Sequence, residues 1–185
     1  MKFPHQSEIM YPHDIYIPKN FIIPSGNVFK FKLYASGFVW YKCNSVSSKW
    51  GLDQFRSVYF NHKEDFTKYP YTGVAFIDFR ATDITIRSAI PKYDNSTMTL
   101  TLNGFLETPS SDPTKNYRYE FVPIKSNTGK GAFSDVTYFI VAETDGGAPP
   151  PSTECGTTYP DGFIHPELIT YTLLYYHPGT DPYMK

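Results

Sequence analysis

From Val28 onward the chain alternates: Phe29, Phe31 and Leu33 face one way while Lys30 and Lys32 face the other. A period of two puts successive side chains on opposite faces of a strand, so this stretch predicts a half-buried strand. After Gly37, residues 38–43 are apolar on both faces and predict a central strand. A turn at 44–48 leads to Trp50, Leu52 and Phe55, which continue an apolar segment to Val58, Tyr59 and Phe60. A polar loop at 61–70 precedes two short strands, 73–79 and 84–90, joined most simply as a hairpin. The cleanest alternation follows the turn at 92–96. Met98, Leu100, Leu102 and Leu106 lie on one face and Thr97, Thr99, Thr101 and Asn103 on the other. Further strands are predicted at 117–124, 136–143 and 168–177. Gly129-Lys130-Gly131 marks a tight turn, and the Gly- and Pro-rich residues 145–151 predict irregular backbone.

No long stretch keeps a period of 3.6. About nine or ten short strands at this spacing predict an all-β fold, a single-domain antiparallel β-sandwich or barrel spanning residues 28–185. Residues 1–27 carry Pro4, Pro12, Pro18 and Pro24. Each proline removes a donor and fixes φ, so they predict a proline-rich, extended N-terminal arm. It either lies on the β-body or reaches a neighbouring subunit.

Composition adds an interaction tendency. Aromatic residues are 18% of the 185, with 16 Tyr and 15 Phe, which suits pleated surfaces and large amphipathic contacts. The net charge is −1, without a basic stripe, so no nucleic acid partner is expected. So small a charge gives little self-repulsion and permits association. Protonation of the five histidines in an acidic compartment would carry the charge through zero. No apolar run approaches the roughly 20 residues of a bilayer span, so no membrane insertion is expected. Residues 1–27 contain no apolar leader, and no signal peptide is expected there.

Catalytic signatures are missing. GxSxG, HExxH, CxxC and the GxxxxGK[ST] phosphate loop do not occur. His5, His13, His62, His165 and His177 lack metal-ligand spacing, and the carboxylates Asp78, Asp83 and Glu107 are scattered. No catalytic residue, metal or cofactor is therefore expected. Trp40, Tyr41 and Trp50 either line a barrel mouth open to a small ligand or form an aromatic core, the commoner arrangement. Asn95-Ser96-Thr97 is a glycosylation sequon in a turn. Cys43 and Cys155 either pair within the chain, remain separate thiols or pair between subunits.

Gly37-Phe38-Val39-Trp40-Tyr41-Lys42-Cys43 followed by Trp50 resembles a Gly-x-Gln-x-Tyr-x-Cys…Trp block. That block belongs to a bacterial and fungal family, domain of unknown function thirty-four fifty-five. Val136-Thr137-Tyr138-Phe139-Ile140, then Thr144-Asp145-Gly146-Gly147-Ala148-Pro149 and Cys155, resemble its second block. Ile169 to Tyr176 resemble its closing aromatic strand, so the likeness spans most of residues 22–177. The chain departs from it at Val39, where the family has Gln. It also lacks the Pro-Trp-Leu run at 117–124 and the Gly-Pro-x-Trp step at 79–84. Both family cysteines are kept, which implies that Cys43 and Cys155 form a disulfide. The likeness extends to a crystal-forming fungal protein, which implies a non-enzymatic structural protein that self-assembles. Its expected products are homo-oligomers and dense vacuolar protein crystals, which serve as statoliths in fungal gravity sensing. A secreted, small-ligand-binding β-barrel is the competing expectation.

Overall fold

The computed structural model describes residues 12–68, 72–80, 83–90, 92–100 and 105–179. Nine strands follow in order: β1 (Asn27–Asn44), β2 (Lys49–Phe60), β3 (Ala75–Arg80), β4 (Asp83–Ser88), β5 (Thr97–Leu100), β6 (Leu106–Thr108), β7 (Tyr119–Thr128), β8 (Tyr138–Gly146) and β9 (Ile164–Pro178). All pairings between them are antiparallel, in the order β5-β4-β3-β2-β1-β9-β8-β7-β6. β5 also pairs with β7, closing an eight-stranded barrel with β6 as an extra strand. β5 takes the distal part of the β7 edge, at Ile124–Thr128, and β6 the proximal part, at Tyr119–Phe121. Closure decides between sandwich and barrel, and it removes the exposed edges an open sheet of this length would carry.

The alternation read from the sequence sets the two faces except at Phe29, which a bulge between Phe29 and Phe31 turns to the outer cluster with Tyr176. On β1, Phe31, Leu33, Ala35, Val39 and Tyr41 point inward, and on β9 Ile169, Tyr171, Leu173 and Tyr175 do the same. Leu174 and Tyr176 point outward and are nevertheless buried. The arm explains this: Ile15 and Phe21 lie over Tyr119, Phe121, Ile140, Ala142, Leu174 and Tyr176. Phe21 meets Phe121 at 6.0 Å between ring centres, and Asn20 donates to the Thr108 hydroxyl at 2.8 Å. Residues 12–26 of the predicted arm thus cover one outer face of the barrel. Residues 1–11, with His5, lie outside the described residues.

The β7–β8 loop fills one end of the barrel. Phe133 inserts fully buried against Phe31 and Tyr175, at 6.0 and 5.5 Å. Asp94 and Ser96, in the β4–β5 turn, hold the plug by accepting the Ala132 and Phe133 N–H groups at 2.7 and 3.0 Å. Gly131 has a φ of 145° and lies against the Asp94 carboxylate, where any Cβ would overlap it. Asp135 then ties the loop to the wall through Lys30 on β1 and His177 on β9.

Several boundaries differ from those read in the sequence. β1 runs through Gly37 as one strand of 18 residues, because that glycine allows the β2 backbone at Arg56 and Ser57 to approach closely. The loop at 61–70 contains a 3-10 turn, Lys63–Lys68. Asp145 and Gly146 belong to β8, opposite Thr170 and Ile169, so irregular backbone begins at Gly147. Leu106 is exposed on β6 rather than sharing the buried face of Met98 and Leu100. Thr101, Leu102 and Asn103 lie outside the described residues.

Candidate barrel-mouth site

The end opposite the Phe133 plug carries the polar chemistry. β1 ends there at Cys43, and the β8–β9 loop returns over it. Cys43 and Cys155 form a disulfide within the chain, with a Cα–Cα distance of 5.4 Å. The same loop is held by the Tyr41 hydroxyl donating to the Gly147 carbonyl at 2.7 Å and the Trp50 indole donating to Pro151 at 3.1 Å. Burial pushes the Tyr41 phenol well above its ordinary pKa, so it remains a donor. Trp50, Tyr159, Phe163 and His165 pack ring against ring beside it, and His165 Nε2 lies 3.1 Å from Glu167.

The barrel also holds a cavity of about 60 Å³, which the β8–β9 loop does not line. Its walls are mostly apolar, among them Leu52, Phe55, Ile77, Phe79 and Phe139. Arg118, just before β7, and Glu120 on β7 also face it. The Glu120 carboxylate accepts from the Tyr117 hydroxyl at 2.7 Å and from Arg118 Nε at 3.0 Å. Arg118 reaches Glu107 on β6 with Nη2, at 2.7 Å. Burial raises the Glu120 pKa, and the nearby guanidinium and phenol hydrogen bonds only partly oppose it. Deeper in, the Tyr171 hydroxyl sits beside Ser57 and Tyr59. Burial raises its pKa more than those neighbours lower it, and none of the contacts has full hydrogen-bond geometry.

Sequence reading found the disulfide partners but not this buried Tyr117–Arg118–Glu120 group. The available signal was the alternation across 118–122: Tyr119 and Phe121 fit the arm-covered outer face, which turns Arg118 and Glu120 inward. Tyr41 is buried in the barrel core and Trp50 packs against it, the aromatic-core arrangement, and neither lines the cavity. Trp40 lies on the outer face opposite Pro166 on β9. Glu107 takes part in the ion pair, whereas the side chains of Asp78 and Asp83 lie outside the described residues. His13, in the arm, and His62, in the loop after β2, are both exposed. Asn95 is exposed in the β4–β5 turn, and its side-chain carbonyl accepts the Lys130 N–H at 2.7 Å. Among the described residues no three His, Cys, Asp or Glu side chains are grouped to hold a metal ion. No helix of the described residues is long and apolar enough to cross a membrane.

The fold therefore defines a closed antiparallel β-barrel with a disulfide-pinned mouth. No protein-family model, curated protein or solved structure matches the chain.

Proposed function

We propose that this protein is a non-enzymatic structural protein that functions by associating with copies of itself. One observation carries the reading. Phe38 and Trp40 on β1 and Ile164, Pro166 and Leu168 on β9 form an apolar strip on the outer face, with Phe38 opposite Leu168 and Trp40 opposite Pro166. Leu168 is 59% exposed, Phe38 45% and Ile164 44%. The arm covers the other outer apolar face, over β7, β8 and β9, whereas Phe38, Ile164 and Leu168 stay exposed on this one. A contiguous exposed apolar patch is characteristic of an interaction surface. The net charge of −1 offers little repulsion between copies.

The family resemblance gives the association a biological form. It extends to octin, a crystal-forming vacuolar protein of pin-mould fungi, and points to dense protein bodies that act as statoliths. An intrachain disulfide suits an oxidising compartment, with the vacuole the expected one and Asn95 its expected glycan position. Dynamic light scattering of the purified protein from acidic to neutral pH tests the proposal. Large oligomers or spontaneous crystals are expected, and a monomer at high concentration throughout that range would refute it.

The cavity favours a second reading, a small-ligand-binding barrel, because Glu120 and Tyr171 place polar atoms against apolar walls. Its size weighs against that reading: about 60 Å³ is well below the roughly 300 Å³ at which ordinary small-molecule sites begin. Native mass spectrometry after mild purification decides. A stoichiometric bound molecule would establish the second reading, and a bare chain mass would remove it.

A further inference from the structure

Taking self-association as given, we infer that the β1–β9 strip is a two-fold interface between two copies of this chain, its axis along the strands. The strip occupies the middle of the strand order β2-β1-β9-β8. Beside the strip the ladder sets one basic residue on β2 and one acidic residue on β8. Arg56 on β2 is the ladder partner of Phe38, on the outward-facing side. Asp145 on β8 is the ladder partner of Thr170, which shares the outer face with Leu168. Arg56 and Asp145 are both exposed.

A two-fold axis lying between β1 and β9, along the strands, reverses the strand order of the second copy. Each β2 flank then faces the partner's β8 flank, so Arg56 of one copy faces Asp145 of the other, twice per dimer. The axis at right angles to the strands would instead set Arg56 against Arg56 and Asp145 against Asp145, which charge disfavours. Arg56 and Asp145 differ in ladder height by two residues, about 7 Å at roughly 3.4 Å per residue. An extended arginine side chain spans that offset. Two convex barrels placed side by side touch along a narrow line, and a strip two strands wide fits such a contact. Isologous pairing needs one self-complementary patch, and this strip with its flanks supplies it. The strip is narrow compared with a standard interface of roughly 1,600 Å², so the dimer is weak and reversible.

Sedimentation equilibrium of the full chain at neutral pH and low salt tests the pairing. Arg56→Glu and Asp145→Arg should each weaken homodimerisation about tenfold, since both copies of a rim contact turn from attraction to repulsion. Mixing the two variants should restore wild-type association as a heterodimer. In that pair both rim contacts again join opposite charges, one of them native and the other with its signs exchanged. The double variant should recover a homodimer. Leu168→Glu, on an exposed position, should abolish the dimer without moving the melting temperature. Wild-type association by either single variant, no gain on mixing, or a dimeric Leu168→Glu would overturn this interface. In each of these cases continued assembly of the wild type leaves self-association standing. A wild type that stays monomeric at every concentration removes both.

Discussion

Replacing Cys43 and Cys155 together by alanine leaves the native mouth assembled but destabilises the protein by about 5 kcal/mol on the chain-entropy model of disulfides. The bridge joins residues separated by 112 positions. Closing a loop of that length removes roughly 16 cal/mol/K from the unfolded chain, or about 5 kcal/mol at 25 °C. The native side changes less, because the β8–β9 loop keeps other anchors. Ser45 N–H donates to Asp161 at 2.8 Å, Cys43 N–H to the Phe163 carbonyl at 2.9 Å, and Trp50 and Tyr41 hold Pro151 and Gly147. Urea unfolding measures the loss, and the denaturant slope should rise as the released chain expands. For a chain of this size the melting temperature should fall by about 10–20 °C. A loss below about 2 kcal/mol with an unchanged slope would show that the unfolded chain is not held compact by the bridge. The entropic account would then be wrong.

Phe133→Ala should cost about 3–5 kcal/mol in urea unfolding, because the plug is fully buried among Phe31 and Tyr175. Phe21→Ala should loosen the arm, costing about 2–4 kcal/mol and raising dye binding as Phe121 and Leu174 become exposed. Glu120 has a raised folded-state pKa, so its contribution is present below the unfolded value of 4.5 and lost as pH rises through the folded value. Glu120→Gln should flatten that fall in an unfolding series from about pH 4 to 8, and an unchanged slope would contradict it. Asp135 has the opposite sign. Burial alone would raise its pKa, but the hydrogen bonds from Lys30 and His177 outweigh it, so stability is lost as pH falls through the lowered value. Asp135→Asn should remove part of the acid-side loss.

The all-β class was legible because alternation is local: Phe31, Leu33, Met98 and Leu100 announce an inward face from neighbouring residues alone. The runs at 139–142 and 173–176 were apolar on both faces for a reason no local pattern contains, since the cover comes from Ile15 and Phe21, more than a hundred positions away. Closure into a barrel rests on β5 meeting β7 and β1 meeting β9, pairings between distant segments that propensity does not encode. The inward Arg118 and Glu120 were hidden for the same reason, because which side of β7 faces the interior is fixed only once the arm claims the other. Residue order by itself determined the period of the strands, the turn positions, the near-neutral charge and the two cysteines. Only the tertiary structure decided the ring, the plugged end, the buried ion pair and the exposed outer strip. These depend on which surfaces other parts of the chain remove from water, and that is a property of the whole fold.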